Sequence, residues 1–326
     1  MYGGDCYLCA CLSVGIIMVE AIKVKGLSYS YSDGTAALED VDLTIIEGEK
    51  VVIVGPNGAG KTTFFLHLNG TIKNPTGNVS VFGRSISDMR IEEKIRQVGV
   101  VFQDPDDQLF MPNVFDDVAF GPINMGLDEK EVKRRVHAAL SKVGLEGFEE
   151  RVPHNLSYGQ KKRVALASVL SMEPKVLVLD EPTANLDPRS RADFISLIND
   201  LNKRDGITTI IAMHDVNALP ELADRVYVLN RRIVAEGSPR EIFSDWELLK
   251  TNNLEAPDVF KLFKVLNCFG YSSDDLPLSF DEAVEVLTKT IEGREGHVHL
   301  HIHEHTHKEI SNLMQSYNHH RQKKAD

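Results

Sequence analysis

The sequence predicts an α/β fold with a doubly wound sheet, and three observations support that prediction. The apolar run Lys50–Val54 is followed by a glycine-rich turn and then by a helical pattern that ends at Leu68. A second apolar run, Val176–Leu179, ends at two acidic residues. Elsewhere, short strand-like segments alternate with amphipathic helical segments, which is typical of α/β domains. The length of 326 residues favours one large α/β domain with a small appendage.

The individual elements follow from local patterns. Asp128–Val143 is predicted as a helix because its valine and leucine residues recur every three to four positions. Pro188–Leu201 is predicted as a helix whose first turn contains proline, where the missing N–H breaks no helical hydrogen bond. The other predicted strands are Ala21–Leu27, Asn78–Phe82, Val98–Phe102, Thr208–Met213, Arg225–Leu229 and Ile233–Ala235. The other predicted helices are Gly60–Leu68, Gly159–Ser171, Asp245–Leu266 and Ser279–Ile291.

The turn after the first apolar run has the pattern G-x-x-x-x-G-K-[ST], and we call residues 55–62 the phosphate loop. Glycines let a backbone wrap around phosphate groups with its N–H groups turned inward, and the following helix N-terminus favours the anion. Lys61 is expected to reach the β- and γ-phosphates, and the Thr62 hydroxyl is expected to bind Mg²⁺. The loop consists of Gly55, Pro56, Asn57, Gly58, Ala59, Gly60, Lys61 and Thr62.

The acids Asp180 and Glu181 stand where a central parallel strand ends, which is where open α/β sheets place their ligands. Asp180 can hold Mg²⁺ directly or through water. Glu181 faces elsewhere, because it is one residue further on, and it can polarise an attacking water. An isolated pair of acids at a strand end is usually a solvated cap, but the phosphate loop favours the catalytic interpretation.

At this point the sequence resembles the ATP-binding subunit of ABC transporters, from about Ile22 to about Phe243. Leu156–Gln160, which reads LSYGQ, resembles the ABC signature, although Tyr158 replaces the commoner glycine. Gln103 resembles the glutamine that links Mg²⁺ to the transmembrane partner, and Asn185–Asp187 resembles the D-loop. His214 resembles the switch histidine that contacts the γ-phosphate, and Tyr31 is placed like the aromatic residue that stacks on adenine.

The resemblance implies an ATP hydrolase with a RecA-like mixed sheet, an antiparallel β subdomain and a helical signature subdomain at about residues 104–171. Two chains, most simply a homodimer, sandwich two ATP molecules, and the signature serves the ATP of the opposite chain. The implied catalytic residues are Glu181, Lys61, His214 and Gln103, and the implied Mg²⁺ ligands are Thr62, Gln103 and Asp180. The implied ATP-binding residues are the phosphate loop with Tyr31, Thr63, Ser157, Gly159, Gln160 and Asp187.

The segment Gln103–Phe110, which reads QDPDDQLF, closely resembles energy-coupling-factor importers, especially the cobalt and nickel members. In that family, the neighbouring surface docks an arginine-bearing coupling helix of a membrane subunit, which works beside a substrate-binding membrane subunit. Three aspartates, Asp104, Asp106 and Asp107, provide the complementary charge. The alternative is a solvated acidic turn.

The C-terminal segment 293–326 predicts a flexible tail in which histidines alternate strictly with other residues. Neighbouring imidazoles on one face of an extended chain can chelate Ni²⁺, Co²⁺, Cu²⁺ or Zn²⁺, and the sequence does not discriminate between these ions. A disordered polar tail that binds metal incidentally is the alternative. The alternating histidines are His297, His299, His301, His303, His305 and His307, and His319 and His320 follow.

Composition narrows the function further. The net charge of −12 argues against nucleic-acid binding, and we expect a soluble or peripheral protein because no stretch reaches the length of a spanning helix. The family resemblance then implies a peripheral position on the cytoplasmic face of the cell membrane. Three of the four cysteines lie in residues 1–17, an apolar extension that is either a metal-binding segment or not translated. The expected domains are residues 18–244 for the ATPase and 245–292 for a helical region.

The sequence therefore predicts an ATP hydrolase that drives import of cobalt or nickel through a membrane partner. Three alternatives stay open. The cargo could be a vitamin, the chain could be a soluble ABC ATPase without a transport role, or the tail could serve metal storage.

Overall fold

The computed structural model describes residues 18–73, 76–213, 216–268 and 276–292. The strands are β1 (Glu20–Ser30), β2 (Ala36–Ile46), β3 (Lys50–Val54), β4 (Thr76–Val81), β5 (Arg84–Ser85), β6 (Val98–Val101), β7 (Val176–Asp180), β8 (Thr208–Met213), β9 (Arg225–Asn230) and β10 (Arg232–Gly237). The helices are α1 (Lys61–Leu68), α2 (Ile91–Gln97), α3 (Val114–Asn124), α4 (Glu129–Lys142), α5 (Tyr158–Leu170), α6 (Pro188–Asp205), α7 (Leu219–Leu222), α8 (Pro239–Ser244), α9 (Trp246–Thr251), α10 (Asp258–Cys268) and α11 (Phe280–Glu292).

A mixed six-stranded sheet with the order β10-β9-β3-β8-β7-β6 forms the centre of the larger unit. Five strands are parallel, and β10 pairs antiparallel with β9. Every residue of β3, β7 and β8 is buried, as expected for parallel strands that are covered on both faces. This arrangement confirms the predicted α/β class.

A second, antiparallel sheet has the order β2-β1-β4-β5. Its buried side chains, among them Ile22, Val41 and Val79, share one hydrophobic core with β3 and with Phe64 of α1. The phosphate-loop helix α1 is therefore packed between elements of both sheets. The predicted antiparallel subdomain is this second sheet.

The segment between β6 and β7 is helical, and α3, α4 and α5 pack on one another. Each of these helices begins at a residue whose side-chain oxygen accepts a hydrogen bond from an N–H of the first turn, namely Asn113, Asp128 and Ser157. Such N-caps stabilise a helix by about 1 kcal/mol each.

The chain divides into two compact units. The larger contains the described residues up to Met213 together with Glu221–Ser238, and the smaller contains 216–220 and the described residues from Pro239 onward. In the smaller unit, Phe263 of α10 and Ala283 of α11 form a core. The sequence predicts one helix over Asp245–Leu266, but the structure divides it into α9 and α10. Pro257, directly before α10, disfavours helical geometry in the residue that precedes it.

Within the described residues, every helix is too short or too polar to cross a lipid bilayer.

Candidate functional site

The carboxyl ends of three neighbouring parallel strands bring the predicted site residues to one edge of the central sheet. Val54 at the end of β3 lies opposite Met213 of β8, and Asp180 at the end of β7 lies opposite Ala212 of β8. The phosphate loop leaves β3 at this edge, and Glu181 follows β7 there. A tight turn, two acids and the exit of β8 therefore meet in one place.

Two glycines of the phosphate loop stand where no side chain fits. At Gly55, a Cβ atom would overlap the carbonyl oxygen of Leu229. Gly60 has a φ of 96°, in the left-handed region, and a Cβ atom there would overlap the carbonyl oxygen of Ala37. Gly60 is also the N-cap of α1 and makes no side-chain cap, so the first N–H groups of α1 remain available to an anion.

Lys61, the first residue of α1, lies under the loop with only 7% of its surface exposed. Its Nζ donates hydrogen bonds to the carbonyl oxygens of Gly55 at 2.8 Å and Pro56 at 3.1 Å. Burial lowers the pKa of Lys61, while the nearby carboxylates of Glu181 and Asp180 oppose that shift. The geometry places one ammonium group at the centre of the loop, next to two acids.

The Thr62 hydroxyl donates a hydrogen bond to Oδ2 of Asp180 at 2.7 Å. These residues are 118 positions apart in sequence, and both present oxygen atoms, which are the ligands that Mg²⁺ prefers. The donor set therefore fits the magnesium ion that the sequence predicts. Magnesium supplies charge neutralisation to the β- and γ-phosphate oxygens when it is bound there.

Glu181 is buried, with 8% of its surface exposed, and its φ of 46° is unusual for a residue with a side chain. Its N–H donates to the carbonyl oxygen of Ala212 at 3.0 Å. Burial raises the pKa of the Glu181 carboxyl group and neighbouring Asp180 raises it further, whereas Lys61 and Lys162 lower it. A buried carboxylate beside a lysine and a second acid is a suitable general base.

Lys162 of α5 is a site residue that the sequence reading missed. It is 3% exposed, and its Nζ donates to the carbonyl oxygens of Glu181 at 2.9 Å and Pro182 at 3.0 Å. Burial lowers the pKa of Lys162 to about 8, against the opposing effect of three carboxylates. A signal was present in the sequence, because Lys162 falls on the same helix face as Leu166 and Val169.

Tyr31, predicted to stack on adenine, follows β1 and is 43% exposed. Its hydroxyl is hydrogen bonded to Oγ1 of Thr63 in α1 at 2.5 Å, and its ring makes an edge contact with Tyr29 at 5.3 Å. The exposed ring is therefore tied to the phosphate-loop helix. The Thr63 hydroxyl, which is also predicted to bind ATP, makes this contact with Tyr31.

The signature residues lie at the start of α5. Ser157 is the exposed N-cap, its Oγ accepts from the N–H of Gln160 at 3.3 Å, and Oε1 of Gln160 accepts from the N–H of Ser157 at 3.0 Å. A Cβ atom on Gly159 would lie 3.5 Å from Oγ of Ser190 in α6. Tyr158 has no left-handed backbone, so it fits in place of glycine.

Asp187, in the predicted D-loop, is the N-cap of α6 and is exposed. It accepts hydrogen bonds from the N–H groups of Arg189 and Ser190 and from Oγ of Ser190, which lower the pKa of its carboxyl group. Within the described residues, no hydrogen bond joins residues 157–160 or Asp187 to the phosphate loop. The signature end is thus an outward-facing surface.

Gln103 is exposed just beyond β6, whose neighbour is β7, so it lies at the same edge of the sheet as Asp180. The acidic segment that follows, residues 104–110, is called the docking turn here. Asp106 in this turn accepts from Nζ of Lys161 at 2.7 Å. Gln108 donates to the carbonyl oxygen of Ala165 at 2.8 Å. The docking turn is therefore anchored to α5 by two side chains.

Phe110, at the end of the docking turn, is 63% exposed and makes an edge contact with Phe120 at 5.0 Å. Buried Asp117 holds the backbone there, because its Oδ1 accepts from the N–H groups of Phe110 at 3.0 Å and Met111 at 3.1 Å. An apolar pair thus stands beside the acidic turn.

Several predicted residues lie outside the described part of the chain. These are His214, the N-terminal extension and the histidines of the tail. Strand β8 is described up to Met213, directly before His214. Among the described residues, no cluster of histidine, cysteine, aspartate or glutamate side chains has the composition of a transition-metal site.

Comparisons with known proteins agree with this geometry. A family model described as ABC transporter matches residues 38–184. The energy-coupling factor transporter ATP-binding protein EcfA of Methanothermobacter thermautotrophicus is 47% identical over 83% of this chain and 88% of its own length. The solved structure of cbiO1 from Clostridium perfringens, part of the ABC transporter complex cbiONQ, has a TM-score of 0.65 and 43% identity, and the match covers 76% of this chain and 99% of that one.

A dimeric ATP-binding cassette solved in a post-hydrolysis state with ADP and Pi has a TM-score of 0.61 and 29% identity, over 67% of this chain and 99% of its own. The chain therefore belongs to the ATP-binding subunits of ABC transporters, in which ATP hydrolysis is coupled to transport, and its relatives include energy-coupling-factor subunits. The family and fold predicted from the sequence are confirmed.

Proposed function

We propose that this ABC transporter subunit hydrolyses ATP to drive import of a transition-metal ion, cobalt or nickel, through a membrane partner. The observation that carries the hydrolytic part is the meeting of Lys61, the Thr62–Asp180 pair and Glu181 at one sheet edge. The cargo part rests on the resemblance of Gln103–Phe110 to cobalt and nickel importers and on the histidine-rich tail.

Within this proposal, each residue at the sheet edge has a role. Lys61 and the N–H groups of the phosphate loop stabilise charge on the γ-phosphoryl group. Thr62, Asp180 and Gln103 hold Mg²⁺. Glu181 orients the attacking water, and its buried position keeps the carboxylate in a defined place. His214, which follows Met213 in the sequence, contacts the γ-phosphate.

A homodimer completes each site under this proposal. Ser157, Gly159 and Gln160 lie at the N-terminus of α5, where N–H groups and a hydroxyl suit a phosphate. The exposure of Ser157 and Asp187 supports a role toward ATP held by a second chain. The dimeric cassette bound to ADP and Pi supports the same arrangement. All the matched catalytic positions are present in this one chain, which favours two competent sites.

The docking turn is proposed to receive a coupling helix of the membrane subunit. Its three aspartates, of which Asp106 is already paired with Lys161, offer negative charge to arginine. The exposed rings of Phe110 and Phe120 offer apolar contact next to that charge. Because Asp106 and Gln108 bond to α5, a force on this turn reaches the signature helix directly.

The test is uptake of radiolabelled Ni²⁺ and Co²⁺ in cells that express this chain together with the membrane proteins encoded beside it. We expect uptake with the wild type and none with Lys61→Ala, because the variant loses the charge that stabilises the γ-phosphoryl group. Absence of metal uptake, while the chain still hydrolyses ATP and co-purifies with a membrane subunit, would contradict the cargo and favour a vitamin importer.

The tail has a separate test. Deletion of residues 297–320 is expected to lower Ni²⁺ and Co²⁺ binding and to leave basal ATP hydrolysis unchanged, because the tail follows the ATPase core. Equilibrium dialysis and a phosphate-release assay measure the two effects. Unchanged metal binding after the deletion would contradict a role of the tail in metal handling, and lost hydrolysis would contradict its separation from the ATPase.

A further inference from the structure

We propose that Lys162 is a positioning residue for Glu181, and that it connects the helix carrying the signature to the strand end carrying the catalytic carboxylate. This inference rests on the role proposed above for Glu181 as the group that orients the attacking water.

The ammonium group of Lys162 is hydrogen bonded to the backbone just after β7. Lys162 is only 3% exposed, and its Nζ donates to the carbonyl oxygens of Glu181 at 2.9 Å and Pro182 at 3.0 Å. A buried ammonium group is costly unless its hydrogen bonds are satisfied. These two carbonyl oxygens satisfy it, so the lysine and the turn after β7 hold each other in place.

Glu181 needs such support because its φ of 46° lies in the left-handed region. A residue with a side chain persists in this conformation only where its surroundings fix it. Its N–H is bound to Ala212 at 3.0 Å, and its carbonyl oxygen accepts from Ala184 at 3.2 Å as well as from Lys162. The first two contacts come from the sheet and from the turn itself, whereas Lys162 approaches from a separate helix. Since the backbone dihedral sets the direction of the side chain, Lys162 contributes to aiming the carboxylate.

The same lysine joins this turn to the signature. Lys162 lies five residues after Ser157 on α5, and its Nζ is 5.6 Å from the ring centroid of Tyr158, within the range of a cation–π contact. Tyr158 is the signature residue that replaces the commoner glycine. A displacement of the N-terminus of α5, when it engages a nucleotide on a second chain, therefore moves the group that holds Glu181. The bonds of Lys162 to the turn after β7 would in this way link one site of a dimer to the other.

Lys162→Met tests the inference, because methionine fills similar volume and donates no hydrogen bond. Steady-state hydrolysis should show kcat lowered by about tenfold to a hundredfold, the cost of a misplaced catalytic group, with the KM for ATP within about twofold of the wild type. Lys162→Arg keeps a charged donor of similar reach and should recover most of the lost kcat.

Lys50→Met is the matched control. Lys50 is also buried, at 7% exposure, and its Nζ donates to Oδ1 of Asn199 at 2.8 Å, at the opposite end of β3 from the phosphate loop. Both methionine variants should lower the melting temperature, but only Lys162→Met should lower kcat. If Lys162→Met does not fold, Lys162→Gln replaces it, since its shorter amide can serve one carbonyl oxygen and should give an intermediate kcat.

Two results would overturn the inference: a kcat for folded Lys162→Met within about twofold of the wild type, or an equal loss of kcat in Lys50→Met. Glu181→Gln is assayed in parallel to separate this failure from that of the premise. If Glu181→Gln is inactive and Lys162→Met is normal, only the role of Lys162 is wrong. If Glu181→Gln turns over normally, the role of Glu181 is wrong and the inference falls with it.

Discussion

The phosphate-loop half and the signature half of the candidate site are built in opposite ways. Lys61, Asp180 and Glu181 are each 8% exposed or less, and their positions are fixed by hydrogen bonds to the loop, to Thr62 and to β8. Ser157 and Asp187 are exposed, and their side chains cap the helices that they begin. The first half is organised for chemistry within one chain, whereas the second presents helix N-termini outward. This difference supports the proposal that the signature half acts on ATP held by a second chain.

The largest effect expected in the phosphate-loop half comes from Glu181→Gln. Glutamine keeps the shape of the side chain but does not accept a proton, so kcat should fall by about a thousandfold. ATP affinity should stay close to that of the wild type, because the phosphate contacts of Lys61 and the loop are intact. Phosphate release and equilibrium nucleotide binding measure the two quantities. Unchanged turnover would exclude Glu181 as the general base.

The phosphate-loop half also contains His67 of α1, which is 1% exposed. Its ring nitrogens have no hydrogen-bond partner among the described residues. Its ring makes an edge contact with Tyr29 at 4.8 Å, and burial lowers its pKa to about 4. The unfolded chain, with a pKa near 6.5, therefore binds the proton first as the pH falls. The contribution of neutral His67 to the free energy of unfolding is fully present above about pH 6.5. It should decrease by about 3 kcal/mol as the pH falls to about 4.

Urea unfolding at a series of pH values tests this, with His67→Leu as the comparison. The variant should lose the part of the pH dependence that belongs to His67, so the difference in unfolding free energy between the two proteins should change across that window. A difference that stays constant from pH 7 to about pH 4 would contradict a neutral, buried His67.

In the signature half, Ser157→Ala should lower kcat by about tenfold to a hundredfold, because the proposed hydroxyl donor to the phosphates of ATP held by a second chain is lost. The substitution also removes an N-cap, which costs about 1 kcal/mol of stability. Asp128→Ala is the matched control, since Asp128 caps α4 through the N–H of Glu131 in the same way. It should lower stability similarly and leave kcat unchanged. Equal losses of kcat in both variants would show that only stability was affected.

The smallest effect concerns Tyr31, which lies in the phosphate-loop half but is exposed. Tyr31→Ala should raise the KM for ATP by about fivefold to tenfold, since stacking contributes about 1 kcal/mol, with kcat nearly unchanged. Tyr31→Phe keeps the ring and loses the hydrogen bond to Thr63, so its KM should rise less. A KM for Tyr31→Ala equal to that of the wild type would exclude adenine stacking.

Local patterns predicted the two halves of the site, but not the side-chain bonds that join residues far apart in sequence. The glycine-rich loop, the apolar runs and the capped start of α5 were readable because each depends on residues close in sequence. The position of Lys162 on the same helix face as Leu166 and Val169 indicated burial, but its bonds to Glu181 and Pro182 were not readable, because these partners come from another element. The Tyr31–Thr63 bond likewise joins residues 32 positions apart. The prediction of one helix over Asp245–Leu266 missed the break before α10, although Pro257 is a local signal for it.

Each hydrolytic site is proposed to combine the phosphate loop of one chain with the signature of another, and mixing two impaired variants tests this arrangement most directly. Lys61→Ala and Ser157→Ala should each hydrolyse ATP poorly alone. In a mixed dimer, one site has an intact loop and an intact signature. An equimolar mixture should therefore reach roughly a quarter of the wild-type rate, because random pairing makes half of the dimers mixed. A rate equal to the average of the two variants would contradict a shared site.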